Sequence, residues 1–269
     1  MTKLDDETGR WLRRLGPPLE DRPRLICFPH AGGSANYFTP LATELGGSVE
    51  VLGVQYPGRQ DRHTERLIDN LLDLADMIDA ALRRMGDSSD RRPALFGHSM
   101  GAIVAFEVAR RMADTAVGPP VSLMVSGRRA PSIHRDDNVH RRSDTALVAE
   151  IEKLSGTSTG LLADEEVRQM VLPAIRADYK ATETYRFRPG PILRTSISAF
   201  IGDSDPRVSI DEVEAWAEHT AAAFQCRVFP GGHFYLNEQC SAVAKAISEA
   251  LTAGPEADAA NGVKESYPR

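Results

Sequence analysis

The sequence predicts an α/β protein built on a mainly parallel sheet, and three observations carry that prediction. Short apolar runs closed by glycine or proline recur along the chain, amphipathic helical patterns separate them, and one long interval without a strand signal interrupts the alternation. A chain of 269 residues accommodates one sizeable core of this kind.

Residues 1–22 are read as an N-terminal extension, and the folded domain is placed at 23–252. RLICFP (24 to 29) and SVEVLGVQ (48 to 55) read as strands buried on both faces. LIDNLLDLADMIDAALRRM (67 to 85) repeats apolar positions three and four apart, the helical period. PALFG (93 to 97) is a strand, followed by the helix formers GAIVAFEVARRMA. Strands follow at VSLMVSG (121 to 127), TSISAFIG (195 to 202) and QCRVFPG (225 to 231), and a helix at 235 to 251. Between Gly127 and Thr195 only helical patterns occur, so a helical lid at about 131–190 is expected rather than a structureless loop. The tail 253–269 is polar and rich in small residues, and disorder is expected there.

Composition narrows the function. At 42% hydrophobic and 26% charged residues the chain reads as an ordinary globular protein, and its net charge of −6 argues against binding nucleic acid. The opening MTKLDDETGRWLRR lacks the apolar core of a secretory signal, and no window approaches the ~18 apolar residues that span a bilayer. A soluble cytoplasmic protein without membrane contact is expected. Cys27, Cys226 and Cys240 show neither a disulfide framework nor metal-ligand spacing and read as core residues. The stretch from Arg128 to Arg142 is a basic island: Arg128, Arg129, His134, Arg135, His140, Arg141 and Arg142 against Asp136 and Asp137.

LFGHSMGA (95 to 102) contains G-x-S-x-G, with Ser99 between an apolar strand and a helix. That context describes a sharp turn that lifts a serine oxygen above the sheet edge. A serine hydroxyl is barely nucleophilic near neutral pH unless a base accepts its proton. His233, in VFPGGHFYL, follows a strand and two glycines and falls at the same sheet edge. His98 adjoins Ser99 and cannot easily reach it, so it reads as structural; His30 could line the site; His63, His134, His140 and His219 read as solvated. An orienting acid should end another strand between serine and histidine. AFIGDSDPRVS offers Asp205, farther out on the turn and stiffened by Pro206, and Asp203 competes with it. Oxyanion donors would be the amides of Met100 and of Ala31, which opens the small-residue turn in ICFPHAGGSAN.

Taken in order, FPHAGGSANYF, QYPGRQDR, LFGHSMGA, GDSDP and FPGGHFYL resemble the stand-alone type II thioesterases of polyketide synthase and nonribosomal peptide synthetase pathways, from about Arg24 to Leu251. That resemblance implies an α/β-hydrolase fold with a helical lid and editing hydrolysis of acyl thioesters. The substrate would ride on the phosphopantetheine arm of an acyl or peptidyl carrier protein. It implies Ser99 as nucleophile, His233 as base, Asp205 as orienting acid, and Ala31 with Met100 as oxyanion hole, with no metal or bound cofactor and a monomeric chain. An R-x-D-Y type segment of the lid is matched by Arg176, Asp178 and Tyr179. In that setting the basic island, Arg128 and Arg129 included, either steers an acidic carrier protein or is a solvated loop. An acyltransferase or carboxylesterase would use the same three residues, and a non-catalytic binding protein could share the fold.

Overall fold

Every residue of β2 (Arg24–Phe28), β3 (Glu50–Val54), β4 (Ala94–His98), β5 (Leu123–Ser126) and β6 (Ile197–Gly202) is buried, because helices cover both faces of the sheet they form. The computed structural model describes residues 6–19, 21–85, 91–113, 115, 118–155 and 164–252; the tail 253–269 lies outside them. With β1 (Leu12–Arg14) and β7 (Phe224–Phe229) the strand order is β1-β3-β2-β4-β5-β6-β7. All pairs are parallel except β1 with β3, where Leu12 lies opposite Val54.

Alternate side chains of each strand feed two separate cores, as the two-residue period of a strand requires. Ile26, Phe28, Leu95, Val125 and Ile201 pack beneath α3 (Leu71–Arg84) and α4 (Met100–Ala113). Leu25, Cys27, Phe96, Met124 and Phe200 pack beneath α2 (Thr39–Glu44) and α8 (Cys240–Thr252).

Three boundaries differ from the sequence expectation. Part of the presumed extension belongs to the fold: α1 (Asp6–Trp11) leads into β1, and Trp11 and Leu12 are buried, with the Arg62 guanidinium 4.2 Å above the Trp11 ring. Three residues are too few to show a strand period. The helix expected from 67 starts at Leu71, because Asn70 takes an extended backbone and its side chain caps the amides of Leu72 and Asp73. The last helix starts at Cys240, since Tyr235–Asn237 is spent on a tight 3-10 turn.

Between β5 and β6 lie α5 (Asp144–Ser155) and the long α6 (Glu165–Thr184), whose first turn is capped by the Asp164 side chain. They share a small core of Val139, Leu147, Leu172, Ile175 and Tyr179, which rests on Ala31. Past β6 comes the short α7 (Ile210–Glu214), closed by a capping box between Ser209 and Glu212.

Candidate active site

β4 ends at His98 and α4 begins at Met100, which leaves Ser99 alone in the turn with φ at +55°. A non-glycine residue is strained there, and the surroundings must hold it. They do: the Ser99 amide donates to the Ser126 carbonyl (2.8 Å) and its own carbonyl accepts from Ala102 (3.1 Å). The flanking glycines are required by close approach. A Cβ at Gly97 would stand 2.1 Å from the Gly101 carbonyl oxygen, and one at Gly101 would stand 2.0 Å from that of Phe28.

The loop after β7 brings His233 to this turn, with Nε2 3.0 Å from Ser99 Oγ and Nδ1 2.8 Å from Asp205 Oδ2. Both His233 and Asp205 side chains are buried. The two acids of the β6 turn have separate tasks. Asp205 meets the imidazole and also accepts the Arg207 amide (2.8 Å), whereas Asp203 accepts the Gly231 amide (3.0 Å) and so fastens the loop that carries His233.

Ala31, Ser99, Met100 and His233 line one cavity of about 40 Å³, closed from the lid side by Tyr179, Thr182 and Glu183. As first residue of α4, Met100 has an amide with no partner inside the helix. The Ala31 turn is held from the lid. Asp178, buried on α6, accepts the Gly32 amide (2.7 Å) and forms an ion pair with the buried Arg59, which also donates to the Pro57 carbonyl (2.5 Å). Asp178→Ala is therefore expected to cost about 3 kcal/mol or more in a urea denaturation experiment, since it leaves the Arg59 charge buried without its carboxylate. Arg176, two residues earlier, ties α6 to the carbonyls of His140 (2.6 Å) and Arg142 (2.7 Å).

The other histidines divide differently from expectation. His98 is fully buried and bonded to Ser126 Oγ (2.9 Å), which in turn meets the Tyr235 hydroxyl (2.7 Å). His30 does not reach the cavity: it packs edge-on against Tyr37 and Phe234, and burial, with His233 and Arg59 nearby, pushes its pKa down to about 3. His219 is buried among Phe106, Phe187 and Trp216 and bonded to Ser132, and His140 is held by Glu183, so neither is solvated. His63 and His134 lie in exposed loops.

The basic island is not one exposed surface. Arg129 is 5% exposed and faces Asp137 (3.4 Å), Arg135 pairs with Glu212, and Arg142 with Glu150. Arg128 and Arg129 turn inward and line the cavity instead. Sequence reasoning passed over Arg207, Glu183 and Arg59, which reach the cavity or hold its wall; only the Q-Y-P-G-R run around Arg59 carried a signal. Among the described residues no helix is long and apolar enough to cross a membrane.

Comparison with known proteins decides the family. The thioesterase domain family matches residues 23–251. The chain belongs to that family. It is therefore a thioester hydrolase on a mostly parallel, helix-flanked sheet of the α/β-hydrolase kind. This thioesterase is 46% identical over 248 residues to thioesterase PikA5 of Streptomyces venezuelae, covering 92% of this chain and 88% of that one. It is 45% identical over 252 residues to a probable cadicidin biosynthesis thioesterase of Streptomyces griseus, covering 93% and 68%. Among solved structures, the type II thioesterase BorB of the borrelidin cluster superposes with a TM-score of 0.84 at 47% identity, covering 93% of this chain and all of that one. Solved relatives also include the type II thioesterase YbtT of the yersiniabactin NRPS/PKS pathway.

Proposed function

We propose that this thioesterase removes acyl groups from the phosphopantetheine arm of acyl or peptidyl carrier proteins as an editing enzyme of a cytoplasmic assembly line. Ser99 is the nucleophile, His233 the base and Asp205 the acid that orients it. The observation that carries this reading is the unbroken line from Asp205 Oδ2 through His233 to Ser99 Oγ, with the serine in a strained turn at a cavity mouth.

With its proton on Nδ1 toward Asp205, His233 presents Nε2 as acceptor to the serine hydroxyl. Ser99 Oγ attacks the thioester carbonyl as its proton passes to Nε2, and the carbonyl oxygen becomes an oxyanion against the amides of Ala31 and Met100. Collapse expels the thiolate, which takes the proton from the imidazolium and leaves an acyl-serine. Water then adds to the ester with His233 again as base, and the acid departs as Ser99 recovers its proton. The cycle consumes one water per thioester and needs no metal or cofactor.

Mass spectrometry of a panel of acylated carrier proteins, before and after exposure to the enzyme, tests reaction and partner together. Loss of the acyl mass with retention of the phosphopantetheine mass is expected. Faster cleavage of matched oxygen esters, or transfer to an added alcohol in place of water, would count against the reading.

A further inference from the structure

We propose that Ser126 is a positioning residue for the second half of the reaction: its hydroxyl, bonded to Tyr235, keeps His233 beside Ser99 while that serine is acylated. The inference rests on the assignment of Ser99 and His233 above. It adds the group that holds the two together once they no longer hold each other.

The loop that carries His233 is fastened to the far side of the sheet. Asp203 accepts the Gly231 amide, the Ser204 amide donates to the Gly231 carbonyl (3.1 Å), the Asp203 amide donates to the Phe229 carbonyl (2.8 Å), and Asp205 holds the ring. All three residues belong to the turn after β6, whereas Ser99 follows β4, with β5 between them. Among the described residues, two hydrogen bonds reach from loop 230–238 to the ends of β4 and β5. One is His233 Nε2 with Ser99 Oγ, the reacting contact itself. The other joins the Tyr235 hydroxyl to Ser126 Oγ at 2.7 Å.

Ser126 ends β5 and is fully buried. Its carbonyl accepts the Ser99 amide, so one residue grips the nucleophile's turn through its backbone and the base's loop through its side chain. His98 aims that side chain. Burial holds the His98 imidazole neutral, with a pKa well below the ordinary histidine range, and its Nε2 has no hydrogen-bond partner among the described residues. With the single proton on Nδ1, only a lone pair goes unmet, which costs less than a buried N–H without an acceptor. Nδ1 then donates to Ser126 Oγ, and the serine proton is left to turn toward the Tyr235 oxygen.

Before reaction, the Ser99 hydroxyl helps to hold the base. In the acyl-enzyme it no longer does: Ser99 Oγ is an ester oxygen without a proton, and Nε2 has passed its proton to the departing thiolate. The Tyr235–Ser126 bond is then the remaining hydrogen bond across the gap among the described residues. Water adds to the ester only where Nε2 is placed to take its proton, and a displacement of about 1 Å in such an arrangement can cost ~10²-fold. Loss of the tie therefore falls on deacylation more than on acylation.

The test loads Ser99 with acetyl from p-nitrophenyl acetate, with enzyme in excess. Nitrophenolate release gives the acylation rate constant, and mass spectrometry of quenched samples gives the decay of acetyl-Ser99. Tyr235→Phe and Ser126→Ala are each expected to slow deacylation by about tenfold or more and acylation by less than about threefold. The double variant should be no slower than the slower single variant, because both changes remove one bond. Tyr235→Phe keeps its ring stacked on Phe229 and leaves His98 bonded to Ser126, so it decides even if Ser126→Ala does not fold. Deacylation within about twofold of wild type in a Tyr235→Phe that melts normally overturns the proposal. Equal slowing of both steps, the mark of a generally loosened site, also overturns it. Losses that multiply in the double variant overturn it too, and assign Tyr235 to Asp205, whose charge acts on the same hydroxyl. Acetyl carried by a residue other than Ser99 refutes the nucleophile assignment, and this proposal with it.

Discussion

Ser99→Ala is expected to lower kcat for any acyl thioester by about 10⁴-fold or more and to abolish the acyl-enzyme mass adduct. The turn holds this residue at φ +55° through the Ser126 carbonyl and the Ala102 amide, both backbone contacts that alanine retains. Folding should therefore survive, with a thermal melt within a few degrees of wild type, since the change removes one hydroxyl and the backbone strain is common to both residues. A variant that melts normally yet turns over near the wild-type rate would sink the covalent mechanism. His233 would still face the substrate in that variant, and any residual hydrolysis measures what the amides of Met100 and Ala31 do without a nucleophile.

The second large effect separates two aspartates two residues apart. Asp205→Asn should cost about 10³- to 10⁴-fold in kcat, because an amide at that position can donate to His233 Nδ1 and favour the wrong tautomer, with Nε2 protonated against the serine. Asp203→Asn keeps a side-chain oxygen that accepts the Gly231 amide, and its loss should stay within about tenfold. Parallel kinetics on the two variants read the difference directly; equal losses would mean that the loop, and not the imidazole, is what the acids control.

The strand, the sharp turn and the helix around Ser99 were legible because each is a local pattern within LFGHSMGA and its flanks. So was the placement of His233 after a strand end. The choice between Asp203 and Asp205 was legible only in part, since the loop after β7 decides which carboxylate meets the ring and which meets a backbone amide. The fate of the basic island was not legible at all. Charge along a sequence cannot tell a solvated arginine from Arg129, which is 5% exposed and faces Asp137 in the folded chain. β1 and the burial of His219 escaped for a related reason: both depend on partners distant in the chain, Val54 for Leu12 and Phe106 with Phe187 for the imidazole.

Asp178 bonds at once to Arg59 and to the amide of Gly32, next to Ala31. Lifting α6 at that point breaks a buried charge pair in the same motion that releases the turn behind the cavity. One carboxylate thus fixes both the seat of α6 and the backbone beside Ala31 that lines the cavity, so the lid and the turn beneath it shift together or not at all.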